Sequence, residues 1–221
     1  HYCAPKLDLS LKLLAFREKS GITVIRLSSK ISLDSTKVML PNLMLATPES
    51  SLSANLVMDF NAFEEKNPGK LHVLLDGSFG KQDIMRFMGG MPTEFIRRWP
   101  NQSLTVKGAA SGNMKRVDIT GISLKLPTAF HVFAKGHAEN PTDMKKLKAR
   151  LDVDVKTYNL GFATVLLDKE INRMVNIPSG IGMKGTLVAE GEKYMADIVA
   201  TEGRGVVKAK AMLDLNRMAD D

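Results

Sequence analysis

The chain has 221 residues, of which 44% are hydrophobic and 25% are charged, with a formal net charge of +7. This balance is typical of a globular protein and argues against intrinsic disorder. The single cysteine, Cys3, excludes a disulfide framework and any site built from several cysteines. No apolar run reaches the roughly 18 residues that a membrane-spanning helix needs.

Apolar and polar residues alternate with a period of two along much of the chain, which is the pattern of a half-buried strand. In chain order, the alternating segments are 7–13, 52–60, 71–75, 104–110, 117–126, 130–138, 146–156 and 207–215. Gly, Asn, Pro and Ser separate these segments, as they do at tight turns. The pattern predicts an antiparallel meander with one apolar face and one wet face.

Two segments, 83–99 and 159–175, break this alternation and predict short helices. In the first, the apolar residues at helical spacing are Ile84, Phe87, Met88, Phe95, Ile96 and Trp99. We expect Asp83 to cap its first helix and Pro92 to open a second. Asn159 is the expected cap of the later segment. Amphipathic helices of this kind usually pack on a sheet, although contact with lipid or a partner is the alternative.

The order of strand, helical segment, proline and glycine-bearing strand occurs twice, over 71–108 and 147–185. Repetition at a fixed period indicates an elongated architecture of stacked units. We therefore expect residues 1–221 to form one continuous β segment of a longer protein. Its divergent repeats would lie near 22–62, 63–138 and 139–215.

Catalytic motifs are missing from the sequence, since it has no P-loop, no His-Glu-x-x-His and no Gly-x-Ser-x-Gly. Residues 180–185 fit the dinucleotide fingerprint, but a strand-like run follows them instead of a helix, so we expect the glycines to shape a strand entrance. His131 and His137 lie too far apart along one strand to share a metal. Asp152 and Asp154 lie among lysines and predict a surface ion-pair ladder. We expect no enzyme activity, no cofactor and no metal.

The basic charge is dispersed, and its densest cluster is Lys145, Lys146, Lys148 and Arg150. These residues are interleaved with apolar ones, as on the wet face of a strand. That interpretation is favoured over a contact with anionic lipid and over nucleic-acid binding, so no nucleic-acid partner is expected.

The apolar faces of the strands outnumber the two helical segments that could cover them. A closed sandwich would hide these faces, whereas a curved sheet left open would form a long apolar groove suited to acyl chains. The fold predicted is mainly β, an antiparallel curved sheet forming an open apolar groove with a few short helices. Candidate groove residues are Leu71, Val73, Leu75, Leu104, Val106, Leu147, Leu151, Val153, Val155, Val207, Leu213 and Leu215.

Several runs resemble the AsmA-like superfamily, most closely its TamB branch. Residues 104–112 form a glycine-bearing strand ending in Ser-Gly, 117–126 end in Leu-x-Leu, and 130–136 end in Gly. The run 40–45 followed by 50–52 is similar, and a helix beginning near an Asp, as at Asp83, fits the same pattern. The resemblance covers roughly residues 22 to 215.

The resemblance implies an envelope protein of Gram-negative bacteria, with an inner-membrane anchor in the parent protein and a long periplasmic β-groove. Such proteins are implicated in moving phospholipid between the two membranes, and some in outer-membrane protein assembly with a barrel of the TamA or BamA type. The expected partners are thus phospholipid or another acyl lipid, and such a barrel. An alternative is a scaffold that binds proteins at a strand edge, with its sheet closed by the helices into a dry core.

Overall fold

The computed structural model describes residues 7–17, 23–64, 66–166 and 180–214. Within them, twelve strands form one antiparallel sheet in which neighbours in sequence are neighbours in space. The strands are Leu7–Arg17 (β1), Thr23–Leu33 (β2), Lys37–Ala46 (β3), Ser51–Asp59 (β4), Leu71–Phe79 (β5), Leu104–Gly112 (β6), Arg116–Leu126 (β7), Phe130–Glu139 (β8), Lys148–Thr157 (β9), Gly182–Glu190 (β10), Lys193–Glu202 (β11) and Gly205–Asp214 (β12). The sheet is curved and unclosed, which confirms the predicted fold class.

Helices occupy the connections at one end of the strands. Lys81–Met88 (α1) and Thr93–Arg98 (α2) connect β5 to β6, and a short 3-10 helix, Ala163–Leu166, lies between β9 and β10. Residues 167–175 of the second predicted helical segment lie outside the described residues. No helix in the described part of the chain is long and apolar enough to cross a membrane.

Strand register divides the sheet into two faces. Leu71, Val73 and Leu75 of β5, with every residue in register with them, form what we call the apolar face. His72 and Asp76, with their own partners in register, belong to the opposite face, which we call the charged face. Because successive side chains of a strand point to opposite faces, the pairing register determines which residues lie on each face of the sheet.

Bulges keep apolar residues on the apolar face where the alternation would otherwise fail. In β7, the register shifts between Ile119 and Ile122, so both still lie on that face. In β3, the shift between Leu40 and Leu43 spans Asn42, whose φ is +57°. A bulge adds one residue to one strand and so restores the two-residue period on either side of it.

The sequence-based predictions for the first strand and the first helix need two corrections. The alternation predicted through Leu13 ends at Leu11, because a bulge places Leu14 in register with Leu27. Asp83 does not cap α1: Gly80 occupies the N-cap position, and Asp83 is buried in the first turn. Pro92, by contrast, is the N-cap residue directly before α2, so it opens the second helix as predicted.

The buried core of the described residues is small and lies at the helical end of the strands. Its buried members are Phe95, Trp99, Leu126, Ala129 and Phe162. The rings of Trp99 and Phe162 lie 4.8 Å apart and meet edge to face, a favourable aromatic geometry. Because Leu126 belongs to the apolar face, α2 and the 3-10 helix pack on that face and cover one end of it.

Candidate functional site

In the paired registers of the described strands from β3 to β12, the apolar face carries one charged side chain, Glu202, at the end of β11. Apart from Glu202, it consists of Leu, Ile, Val, Met, Phe, Ala and Gly, with polar side-chain atoms only at Thr157 and at the Tyr194 hydroxyl. A surface of this composition offers contact area and almost no directional hydrogen bonding. It therefore suits a ligand that is itself apolar and chain-like.

Most of the apolar face is half-exposed rather than buried. The described residues include only eight buried hydrophobic side chains, and most of those belong to the helical end. The accessible surface of the chain is 15147 Å², whereas a compact monomer of 24.3 kDa is expected to expose about 10,000 Å². The sheet thus leaves open an apolar surface that a sandwich would hide.

Over strands β9 to β12 the apolar face forms a concavity of about 450 Å³. Its lining includes Leu147, Leu151, Leu187, Tyr194 and Leu213. This volume lies within the range of about 300–1,000 Å³ that is typical of small-molecule sites. The concavity can bury part of an apolar chain that continues along the sheet.

Ion pairs cross between strands on the charged face. Lys107 pairs with Asp76 at 2.8 Å, and Lys184 pairs with Asp154 at 3.0 Å. The predicted ladder is therefore present at Asp154, although its partner is on β10 and not on its own strand. The hydroxyl of Thr186 donates to Asp152 at 3.2 Å. These exposed ion pairs contribute little to stability, but they keep the charged face hydrated.

The histidines of β8 both lie on the charged face and have separate neighbours. His131 Nε2 is 3.0 Å from Ser123 Oγ, and His137 is in register with Arg150. Among the described residues, no group of His, Cys, Asp and Glu could hold a metal ion.

The glycine run 180–185 leads into a strand. Gly182 is the first residue of β10, and a Cβ on Gly185 would lie 2.1 Å from the Asp197 carbonyl oxygen. The glycines thus shape a strand entrance and a close strand contact, as the sequence predicts.

The structure places the predicted groove residues together on the apolar face. They are Leu71, Val73, Leu75, Leu104, Val106, Leu151, Val153, Val155, Val207 and Leu213. Leu147 precedes β9 and lines the concavity with them, whereas Leu215 lies outside the described residues. Leu104 is partly covered by the helical cluster, and Val207 and Leu213 are exposed.

Sequence reasoning missed some members of the apolar face, chiefly Tyr194 and Ile198 of β11. Met195 and Val199 alternate with them on the charged face, so β11 shows no clear polar–apolar period. Comparison with protein-family models, with curated proteins and with solved structures finds no match to this chain. The functional argument therefore depends on the geometry.

Proposed function

We propose that this chain binds lipid acyl chains along its apolar face. It would do so as a periplasmic segment of an AsmA- or TamB-like envelope protein, anchored in the inner membrane, that moves phospholipid between the inner and outer membranes. The observation that carries the proposal is the apolar face itself, which is continuous in register from β3 to β12, uncharged except for Glu202 at the end of β11, and half-exposed.

The chemistry of the two faces supports a lipid over other ligands. Removing apolar surface from water is favourable by about 25 cal/mol per Å² and needs no directional contact, so acyl chains can occupy any part of the face and slide along it. Headgroups would remain in water at the strand ends. A monomer rarely leaves so large an apolar surface uncovered unless it binds something.

The test is to extract the purified chain with organic solvent and identify lipids by mass spectrometry, with a soluble protein treated in parallel. The variant Leu75→Asn/Leu187→Asn places two amides on the apolar face. Its matched control, Leu74→Asn/Val57→Asn, changes two apolar residues of the charged face that do not line the concavity.

We expect near-stoichiometric phospholipid from the unmodified chain and from the control. Lipid from the apolar-face variant should fall at least about threefold, because an amide facing an acyl chain loses its hydrogen bonds to water. A clean extract from the unmodified chain, or equal loss in both variants, would refute the proposal. Circular dichroism of both variants checks that the sheet persists.

A scaffold for outer-membrane protein assembly is the second candidate, and one observation favours it. Among the described strands, β12 pairs with β11 alone, and residues 205–213 are exposed. Such an edge can accept a strand from a barrel partner. A clean lipid extract, together with binding of strand-forming peptides that is lost when Ala209 is replaced by Pro, would favour this function.

A further inference from the structure

The turn between α1 and α2 exposes apolar side chains to solvent. Phe87 is 85% exposed and Met88 is 38% exposed, although helical spacing predicts that both pack on the sheet. Gly89 and Gly90 follow with φ values of +52° and +62°, and nothing lies within 4 Å of the Cβ position of either. The turn therefore projects into solvent with an aromatic ring at its tip.

Both helices beside the turn are anchored, so its position is fixed by the fold. On the α1 side, the buried Asp83 carboxylate accepts a hydrogen bond from Ser50 Oγ at 2.6 Å and another from the Thr47 hydroxyl. On the α2 side, Phe95 and Trp99 belong to the buried cluster. An apolar tip held in place loses little conformational freedom on binding.

The two helices also carry positive charge. Their basic residues are Lys81, Arg86, Arg97 and Arg98, and their acidic residues are Asp83 and Glu94. Hydrogen bonds from Arg97 and Arg98 lower the pKa of Glu94 to about 2, so this carboxylate stays ionised while two arginines share it. With four basic and two acidic residues, the helical pair keeps a positive charge at neutral pH.

We propose that the α1–α2 turn, residues 87–90, docks on an anionic lipid bilayer, with Phe87 and Met88 inserted into the interface and the arginines near the headgroups. An aromatic ring with adjacent cations is the combination that holds peripheral proteins on anionic membranes. Since the helices cover one end of the apolar face, docking would bring that end of the sheet to the bilayer surface. The proposal does not require lipid on the apolar face.

The test is co-sedimentation of the purified chain with vesicles of phosphatidylcholine alone or containing about 30 mol% phosphatidylglycerol. The variant Phe87→Ser removes the ring from the turn. Its matched control, Phe63→Ser, removes a 64% exposed ring from the loop between β4 and β5, at the opposite end of the strands. A second variant, Arg97→Gln/Arg98→Gln, removes two positive charges together with their ion pairs to Glu94 and leaves the Phe87 ring in place.

We expect the unmodified chain to sediment with the anionic vesicles, and Phe87→Ser to weaken that binding about tenfold. Phe63→Ser should bind like the unmodified chain. The arginine variant should lose about fivefold per charge and much of its salt dependence. Absence of vesicle binding, or equal loss at Phe87 and Phe63, would overturn the proposal, and a protein partner would then be the better explanation of the exposed ring.

Failure here is distinguishable from failure of lipid binding by the sheet. Leu75→Asn/Leu187→Asn should sediment with vesicles like the unmodified chain, because it leaves the turn intact. Phe87→Ser should retain its extracted lipid. If either of these variants abolished both vesicle binding and the extracted lipid, the turn and the apolar face would not be separate sites. Docking by the turn would then be refuted.

Discussion

At the residue scale, Asp83 connects α1 by hydrogen bonds to the turn between β3 and β4. Besides its two hydroxyl donors, its Oδ1 lies 3.5 Å from Arg86 Nη1. Ser50 in turn accepts from the Gly80 amide at 3.0 Å, and the Ser50 amide donates to Thr47 Oγ1 at 2.8 Å. This network satisfies buried polar groups at the start of α1, where backbone donors have no helical partners.

We therefore predict that Asp83→Ala lowers the free energy of unfolding of the helical end by about 2–3 kcal/mol, because two buried hydroxyls lose their acceptor. Asp83→Asn keeps one acceptor oxygen and should cost about half as much. The measurement is urea unfolding followed by the fluorescence of Trp99, the only tryptophan of the chain. As a control, Asp118→Ala removes an exposed ion pair with Arg116 and should change little. Equal effects at Asp83 and Asp118 would contradict the role of the network.

At the element scale, glycines on the apolar face let neighbouring strands approach closely. Gly136 has a φ of +152°, and a Cβ there would lie 2.0 Å from the Arg150 carbonyl oxygen. Gly108 is on the same face, yet a Cβ there would meet its nearest neighbour, Ile122, at 3.5 Å. Of these two positions, only Gly136 requires glycine, because of its positive φ and the close carbonyl oxygen.

Alanine at these two glycines should thus have different consequences. We predict that Gly136→Ala destabilises the chain by about 2 kcal/mol or more, because β8 and β9 must separate or the backbone must leave its native conformation. Gly108→Ala adds a methyl in ordinary van der Waals contact and should cost less than about 1 kcal/mol. Thermal unfolding monitored by circular dichroism measures both. A large loss at Gly108 would mean that the two strands pack more tightly than these distances indicate.

The sequence predicts those strands whose two faces differ sharply in polarity. β9 is the clearest, since Leu151, Val153 and Val155 oppose charged residues throughout. Strand β3 was not predicted because Pro41 and Asn42 interrupt its alternation, and only the bulge, a feature of pairing with β4, restores it. Similarly, the role of Asp83 could not be predicted, because it depends on contacts with Thr47 and Ser50, which are far away in sequence. The exposure of Phe87 could not be predicted either, because helical spacing does not show which face of α1 the sheet covers.

At the scale of the whole molecule, the open sheet exposes apolar surface in its native state. The difference in accessible area between the unfolded and folded chain is consequently smaller than in a compact protein of equal length. With 15147 Å² already exposed, against about 10,000 Å² for a compact monomer and about 35,000 Å² for the unfolded chain, the area change is about a fifth smaller.

The dependence of unfolding free energy on urea concentration, the m-value, scales with this area. We predict an m-value about a fifth below that of compact β proteins of similar length, measured at low protein concentration after lipid has been removed. An m-value equal to theirs would mean that the apolar face is covered in solution. Repeating the measurement at tenfold higher protein concentration shows what covers the apolar face. A urea midpoint that rises with protein concentration indicates a second copy of the chain on that face. A constant midpoint with the low m-value leaves the face open, as lipid binding along it requires.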